Sequence, residues 1–451
     1  MGKGEHTNMK LWQKASKLDK KVEQFTIGQD QQLDLILAEF DVLGSIAHSK
    51  MLQKVGLLSQ KEAQSLVSEL KKIYSQIKTD DFQIANGIED VHSQIEFLLT
   101  KQLGEIGRRI HTGRSRNDQI LLDLRLFIRH ELQNIVKHTQ TLFNRLISLS
   151  ENHKDVLMPG YTHLQIAMPS SFGLWFAAFA ESLIDDLIQL QAAFRVINKN
   201  PLGSAAGYGS SLPIDRGMTT RLLGFDSMNY NVVYAQMGRG KTEKVVSNAL
   251  SSLAQTLAKL SMDVSLYLGE NYGFISLPEI LFTGSSIMPH KKNPDVFELI
   301  RAKCNKLLAL PNEIQLIINN LPSGYHRDFQ ILKENFIPAF KDIKDCLIMM
   351  DYMLGNIEVN EEILSDDKYQ YLFSVEAVNS LVKKGIPFRD AYQQVAQAIE
   401  AGKFKYGDPI TSSHEGSIGN LCNEQIGAEM EAVLKQFDFS KINTALADLL
   451  K

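Results

Sequence analysis

Apolar residues recur at steps of three, four and seven over long stretches of this chain. Leu121, Leu124, Ile128, Leu132, Ile135, Leu142, Leu146 and Leu149 form one series. Val246, Leu250, Leu253, Leu257, Leu260 and Val264 form a second, and Phe340, Ile343, Leu347, Met350, Leu354 and Ile357 a third. Each series draws one apolar stripe along a long helix. A further long helix is expected over residues 169–199, with Pro169 at its start and Asn200-Pro201 at its end. Stripes sustained over many turns bury best at shallow crossing angles, as in a bundle. Runs of alternating Val, Ile and Thr are nearly missing. The expected class is therefore all-α: a central domain built as a long-helix bundle, with smaller helical N- and C-terminal domains. The expected boundaries are residues 1–111, 112–362 and 363–451, the last region broken at Gly385-Ile386-Pro387 and Gly407-Asp408-Pro409.

Composition narrows the function classes. The 451 residues are 44% hydrophobic and 22% charged, enough to bury a large core. Lys and Arg number 48 against 52 Asp and Glu, a net charge of −4, so no general nucleic-acid surface is expected. Cys304, Cys346 and Cys422 are odd in number and far apart, which argues against a disulfide framework or a zinc site and for a cytoplasmic protein with reduced thiols. No stretch reaches the roughly 20 apolar residues that span a bilayer. Met1-Gly2 is followed by His6 where myristoylation needs Ser or Thr. Residues 1–8 read as an extension, with Met9-Lys10-Leu11-Trp12 beginning the folded part.

Helix length constrains where polar groups can meet. A helix from about residue 121 to 150 is roughly 45 Å long at about 1.5 Å per residue. The polar stretch His111-Thr112-Gly113-Arg114-Ser115-Arg116-Asn117-Asp118 precedes it, and Gly160-Tyr161-Thr162-His163-Leu164-Gln165 follows it. They stand at opposite ends of one rod. If both serve one site, they come from different copies of the chain. Following the bundle up and down places 284–298 near the 160–165 end and Tyr325 to Lys333 near the 111–118 end. A homo-oligomer with shared sites is expected.

Four polar constellations carry the chemistry. In 111–118, Arg114 and Arg116 offer guanidinium forks to carboxylates and Asn117 an amide; the plainer reading is a solvated helix start capped by Asn117 or Asp118. In 160–165, His163 sits in a turn beside hydroxyls and can exchange a proton near neutral pH, although a lone histidine is more often structural. The third is Gly284-Ser285-Ser286-Ile287-Met288-Pro289-His290-Lys291-Lys292-Asn293-Pro294-Asp295 with Glu298. It joins a glycine hinge, hydroxyls, ammonium groups and an amide in one loop that can move and hold a carboxylate. The fourth, Tyr325-His326-Arg327-Asp328-Phe329-Gln330-Ile331-Leu332-Lys333, puts Tyr325, Gln330 and Lys333 on roughly one helical face, which alone would be an exposed face.

Together these motifs resemble the fumarase/aspartase superfamily and, within it, the argininosuccinate lyase family, from about residue 9 to the C-terminus. The 284–298 loop and Thr162-His163 are similar to the whole superfamily; the octapeptide 111–118 points to the narrower family. The resemblance implies cleavage of argininosuccinate to arginine and fumarate, without a metal or redox cofactor, by a homotetramer acting on a small-molecule substrate. It implies Ser285, His163 and Glu298 as catalytic residues, with Glu298 paired to His163. Ser285 is the base and His163 the acid in one assignment, and the reverse in the other. It further implies substrate binding by Arg116, Asn117, Thr162, Lys291, Asn293, Tyr325, Gln330 and Lys333. Glu89-Asp90-Val91-His92-Ser93 is similar to a family segment lying near the substrate. Two departures stand out. His290 replaces a glutamine common in the family, and the region Gly28 to Asp34 lacks a family serine, whose place Asp30 or Gly28 takes. The alternative activities are those of adenylosuccinate lyase or an aspartase-type lyase, against which the octapeptide argues.

Overall fold

The computed structural model describes residues 19–451 apart from Asn86, Asp408, Pro409 and Thr411. The expected beginning at Met9–Trp12 and part of the Gly407-Asp408-Pro409 break lie outside the described residues. Five helices come first: α1 (Lys20–Ile27), α2 (Asp30–Lys54), α3 (Gln60–Lys78), α4 (Val91–Leu103) and the single turn α5 (Glu105–Arg108). The long helix α6 (Arg116–Asn152) follows, then a hairpin of β1 (Leu157–Thr162) and β2 (Gln165–Ser171), and then α7 (Phe172–Ile197). Two short helices, α8 (Arg216–Leu222) and α9 (Val232–Met237), lead into α10 (Lys241–Leu268), α11 (Asp295–Ile318) and α12 (Leu332–Leu354). The chain ends in α13 (Ser374–Lys383), α14 (Phe388–Glu400), α15 (Asn423–Leu434) and α16 (Phe439–Leu450).

Helices α6, α7, α10, α11 and α12 pack side by side, α10 against α7 and α11, and α6 against α7 and α12. The expected stripes form their seam: Leu250, Leu253, Leu257 and Leu260 on α10 are at most 1% exposed, as are Leu132, Ile135, Leu142 and Leu146 on α6. Burying each such side chain stabilises the bundle by about 1.5–3 kcal/mol before entropy is counted. Val378, Ala391 and Val395 form a separate small core between α13 and α14.

The start of α6 is fixed chemically. Ser115 is the N-cap and its Oγ accepts from the Asn117 backbone N–H at 3.2 Å. Asp118 Oδ1 in return accepts from the Ser115 N–H at 2.8 Å, so Ser115, rather than Asn117 or Asp118, is the cap residue. The other Asp118 oxygen accepts the Gly203 and Ala205 N–H groups, each at 2.9 Å, and ties the glycine-rich 201–217 loop to this end. At 37 residues, α6 is about 55 Å long.

Two local expectations are corrected. Residues 169–171 belong to β2, so α7 begins at Phe172 with Ser171 as its cap, not at Pro169. The 160–165 stretch is the tip of a hairpin in which Thr162 pairs with Gln165 across a two-residue turn. His163 (φ 53°) and Leu164 (φ 57°) both adopt the left-handed conformation that a tight hairpin turn of this kind requires.

Candidate active site

At the α6 N-terminal end, a cavity of about 330 Å³ opens between α2, α4, α6, the turn before α10 and the segment 325–333. Arg116 and Asn117 line it from α6, and Tyr325, Gln330 and Lys333 from the last segment, so five expected substrate-binding residues share one cavity. Tyr325, Gln330 and Lys333 do not share one helix face as expected. Tyr325 precedes a short 3-10 turn, Arg327–Gln330, and Lys333 sits in the first turn of α12. Gln330 is engaged: its Nε2 donates to the Thr26 carbonyl at 2.9 Å and the Ile27 carbonyl at 3.1 Å, closing the end of α1 over the cavity.

The walls are built of ion pairs between elements far apart in sequence. Lys333, 5% exposed, places Nζ 2.6 Å from Asp30 Oδ1 and 2.7 Å from Asp34 Oδ1 on α2. Arg116 pairs with Asp90 and approaches Glu89 at 3.5 Å. Arg327 contacts the other Glu89 oxygen at 3.1 Å, and Arg239 pairs with Glu243 at 3.0 Å on α10. Burial raises the Asp30 pKa, with the Lys333 charge working against it. Burial, reinforced by Arg114 and His92, drives the His111 pKa down to about 4, so that ring is neutral.

His92, in the cavity wall, belongs to a buried cluster that pattern reading missed. His92 Nδ1 is hydrogen-bonded to Asp41 Oδ2 at 2.5 Å and lies 3.7 Å from Asp123 Oδ2. All three residues are buried, and their ligand-type atoms lie within 4.8 Å of one another, the one such group among the described residues that could surround a metal ion. Yet the Asp41–His92 hydrogen bond closes the group on itself, and the Arg114 charge acts on both aspartates. These are the features of an ion-pair network. Burial opposes the charge on His92, but Asp41 and Asp123 outweigh it and raise its pKa to about 9. Likewise burial opposes ionisation of Asp41, and His92 and Arg114 overcome it, holding that carboxyl below its usual range. Asp123 goes the other way: burial and the Asp41 charge push it well up. The signal was present in part. Asp30, Asp34 and Asp41 recur at steps of four and seven on a helix whose neighbours are buried and apolar.

The remaining expected residues lie at the far end of the bundle. Thr162 and His163 occupy the exposed hairpin tip. Tyr161 packs its ring 5.5 Å from Tyr272, beyond the C-terminus of α10, which fixes the hairpin to that end. The 284–298 loop is pinned at its base, where Thr283–Gly284 pairs with Lys292–Asn293 and Asn293 Nδ2 donates to the Gly284 carbonyl at 3.3 Å. Ser285 Oγ accepts backbone N–H groups from Ile287 at 3.3 Å and Met288 at 3.1 Å. Lys291 and Glu298 are exposed, and among the described residues of one chain no hydrogen bond or ion pair joins Glu298 to His163. Neither Ser285 nor Ser286 caps α11; Pro294 holds that position.

Comparison with known proteins gives consistent matches. A family model described as "Lyase" matches residues 5–308. An argininosuccinate lyase of Phocaeicola vulgatus is 58% identical over 441 residues, spanning 98% of this chain and 99% of that protein. One from Parabacteroides distasonis is 59% identical with the same coverage. Among solved structures, an EDDS lyase in complex with formate superposes with a TM-score of 0.74 at 22% identity, covering 96% of this chain and 94% of that one, a likeness of fold.

Proposed function

We propose, for a chain that belongs to the argininosuccinate lyase family of the fumarase/aspartase superfamily, that the two ends of its bundle supply different halves of one active site. The chain is a carbon–nitrogen lyase that cleaves argininosuccinate to L-arginine and fumarate, a step of arginine biosynthesis. Its substrate is a small molecule, and no helix among the described residues is long and apolar enough to cross a membrane. The free cysteines accord with a reducing compartment, the cytoplasm.

Elimination requires a proton to leave the succinyl carbon next to a carboxylate. The electron pair passes through that carboxylate as a doubly negative intermediate, and the C–N bond then breaks with its pair going to the guanidino nitrogen. In our reading Ser285 is the base. The observation that favours it is the pair of N–H groups on its oxygen, which lower the energy of an alkoxide as they would any oxyanion. His163, paired with Glu298, then protonates the leaving nitrogen. Lys291 and Asn293 hold the carboxylate that gains charge, where a cation and an amide donor lower the barrier most. Arg116, Asn117, Thr162, Tyr325, Gln330 and Lys333 orient the two ends of the substrate. Lys333 does so through Asp30 and Asp34, since its ammonium is already engaged.

In this reading these groups come from more than one chain, and the length of α6 supports it. Asn117 and His163 flank a helix about 55 Å long, and argininosuccinate cannot bridge that span. We assign the assembly as a homotetramer in which residues 112–362 form the shared bundle and residues 1–111 and 363–451 flank it. The test is complementation. A variant inactive at Asn117 and one inactive at His163 are unfolded together, refolded as mixed oligomers and assayed by ultraviolet detection of fumarate. Random mixing leaves about a quarter of sites with both residues intact, so about a quarter of native activity returns. Mixed oligomers as inactive as their parents rule out the shared site.

A further inference from the structure

We propose that His92 is a fixed cationic donor to a substrate carboxylate in the α6-end cavity, and that Asp41 is the positioning residue that keeps it charged and aimed. His92 lines the cavity and is 7% exposed. Its Nδ1 is taken by Asp41, so Nε2 is the nitrogen left to face a ligand. Nε2 has no protein partner among the described residues and, unlike His48 Nδ1, is not sealed from solvent. The ring therefore turns its paired side into the protein and its open N–H towards the cavity.

The surroundings make this ring distinct. Lys333, Arg116, Arg327 and Arg239 are already matched to carboxylates that line or adjoin the cavity. His92 is matched from behind, by Asp41 on α2 and Asp123 on α6, both fully buried. The charged and titratable groups around the ring are Asp34 and Asp41 from α2, Asp123 from α6, and His111 and Arg114 from the loop before α6. The three acids favour its charge, and His111, which would oppose it if protonated, is neutral. A neutral imidazole bonded to Asp41 through Nδ1–H would present a bare acceptor lone pair at Nε2 and repel a carboxylate. The protonated ring presents a donor instead. Asp41 thus decides whether the cavity face of His92 attracts or repels an anion.

This inference rests on the lyase reading above, and the experiment separates the two. The tetrameric full chain and its Asp41→Asn variant are compared for fumarate release from argininosuccinate between about pH 6 and about pH 9. The wild type should hold its KM until pH approaches about 9, where His92 loses its proton. In Asp41→Asn the ring titrates near its ordinary range, about 6.5. KM should then match the wild type near pH 6 and exceed it about tenfold at pH 8, with kcat nearly unchanged. The His92 ring signals in histidine-labelled protein should shift their titration midpoint downward in parallel. Should Asp41→Asn fail to fold, His92→Gln takes its place, with KM raised equally at every pH below about 9. An Asp41→Asn variant that is folded but keeps the wild-type pH profile overturns the role of Asp41, and an unchanged KM in His92→Gln overturns that of His92. Absence of fumarate from the wild type would instead overturn the lyase reading.

Discussion

Replacing Lys333 with Met removes a buried ammonium and leaves two carboxylates without their counter-ion. Lys333 is 5% exposed, Asp34 3% and Asp30 17%, and the contacts are 2.6 and 2.7 Å. Removing one member of a buried pair typically costs about 3–5 kcal/mol, chiefly the penalty of the charge left behind. Asp30 keeps some access to water and can take up a proton, which limits its share, so the lower end of about 3 kcal/mol is expected. The assay is urea unfolding followed by circular dichroism at fixed protomer concentration.

The loss should depend on pH, and the sign can be worked out. Burial already raises Asp30, and Lys333 is the main charge opposing it. Without Lys333 the folded pKa rises further above the unfolded value. A group raised in this way contributes stability that is complete below the unfolded pKa and disappears as pH rises through the folded one. The variant's deficit should therefore be small near pH 4 and grow to its full size near pH 8. Pairing Lys333→Met with Asp34→Leu should restore much of the stability, because an apolar pair of similar volume is often as stable as a buried ion pair. Activity should remain lost in both, since Asp30 and Asp34 then no longer shape the cavity. A single variant that loses under about 1 kcal/mol at pH 8, or whose deficit shrinks as pH rises, would refute the claim that these charges are effectively buried.

Three further outcomes follow from the same geometry. Ser285→Ala should abolish turnover while calorimetry still detects substrate binding, and near-normal turnover would remove the serine from the chemistry. Leu164→Gly should raise stability by about 1 kcal/mol, because Leu164 is 74% exposed and spends left-handed strain for no packing; an unchanged unfolding midpoint would show that the turn is unstrained. Asp118, raised to about 6 by burial, should make wild-type stability fall as pH rises from about 4 to about 6, and Asp118→Asn should flatten that fall; parallel stability curves over this range would exclude the shift.

The long helices α6, α10 and α12 were legible because their stripes need no information beyond spacing. Leu250 and Leu257 are seven residues apart, and each is fully buried. The hairpin was not legible for a related reason. Pro159, Gly160 and Pro169 discourage a strand reading, and the turn uses His163 and Leu164 where Asn-Gly would have announced it. Backbone pairing and a ring contact to Tyr272 hold the hairpin, and neither leaves a period in the sequence. The polar motifs were legible as lists of residues; their partners were not. Lys333 meets Asp34 across 299 positions and His92 meets Asp41 across 51. No periodicity encodes such pairings, because they depend on which helix ends the bundle brings together. What the sequence does hold is the acid at the buried position: Asp34, Asp41 and Asp123 each sit where a core residue would pack. A buried carboxylate there costs more than an apolar side chain unless a cation from another element meets it. In an otherwise regular helix pattern, acids at core positions mark the places where distant segments must supply such cations, and here those places line or underlie the cavity.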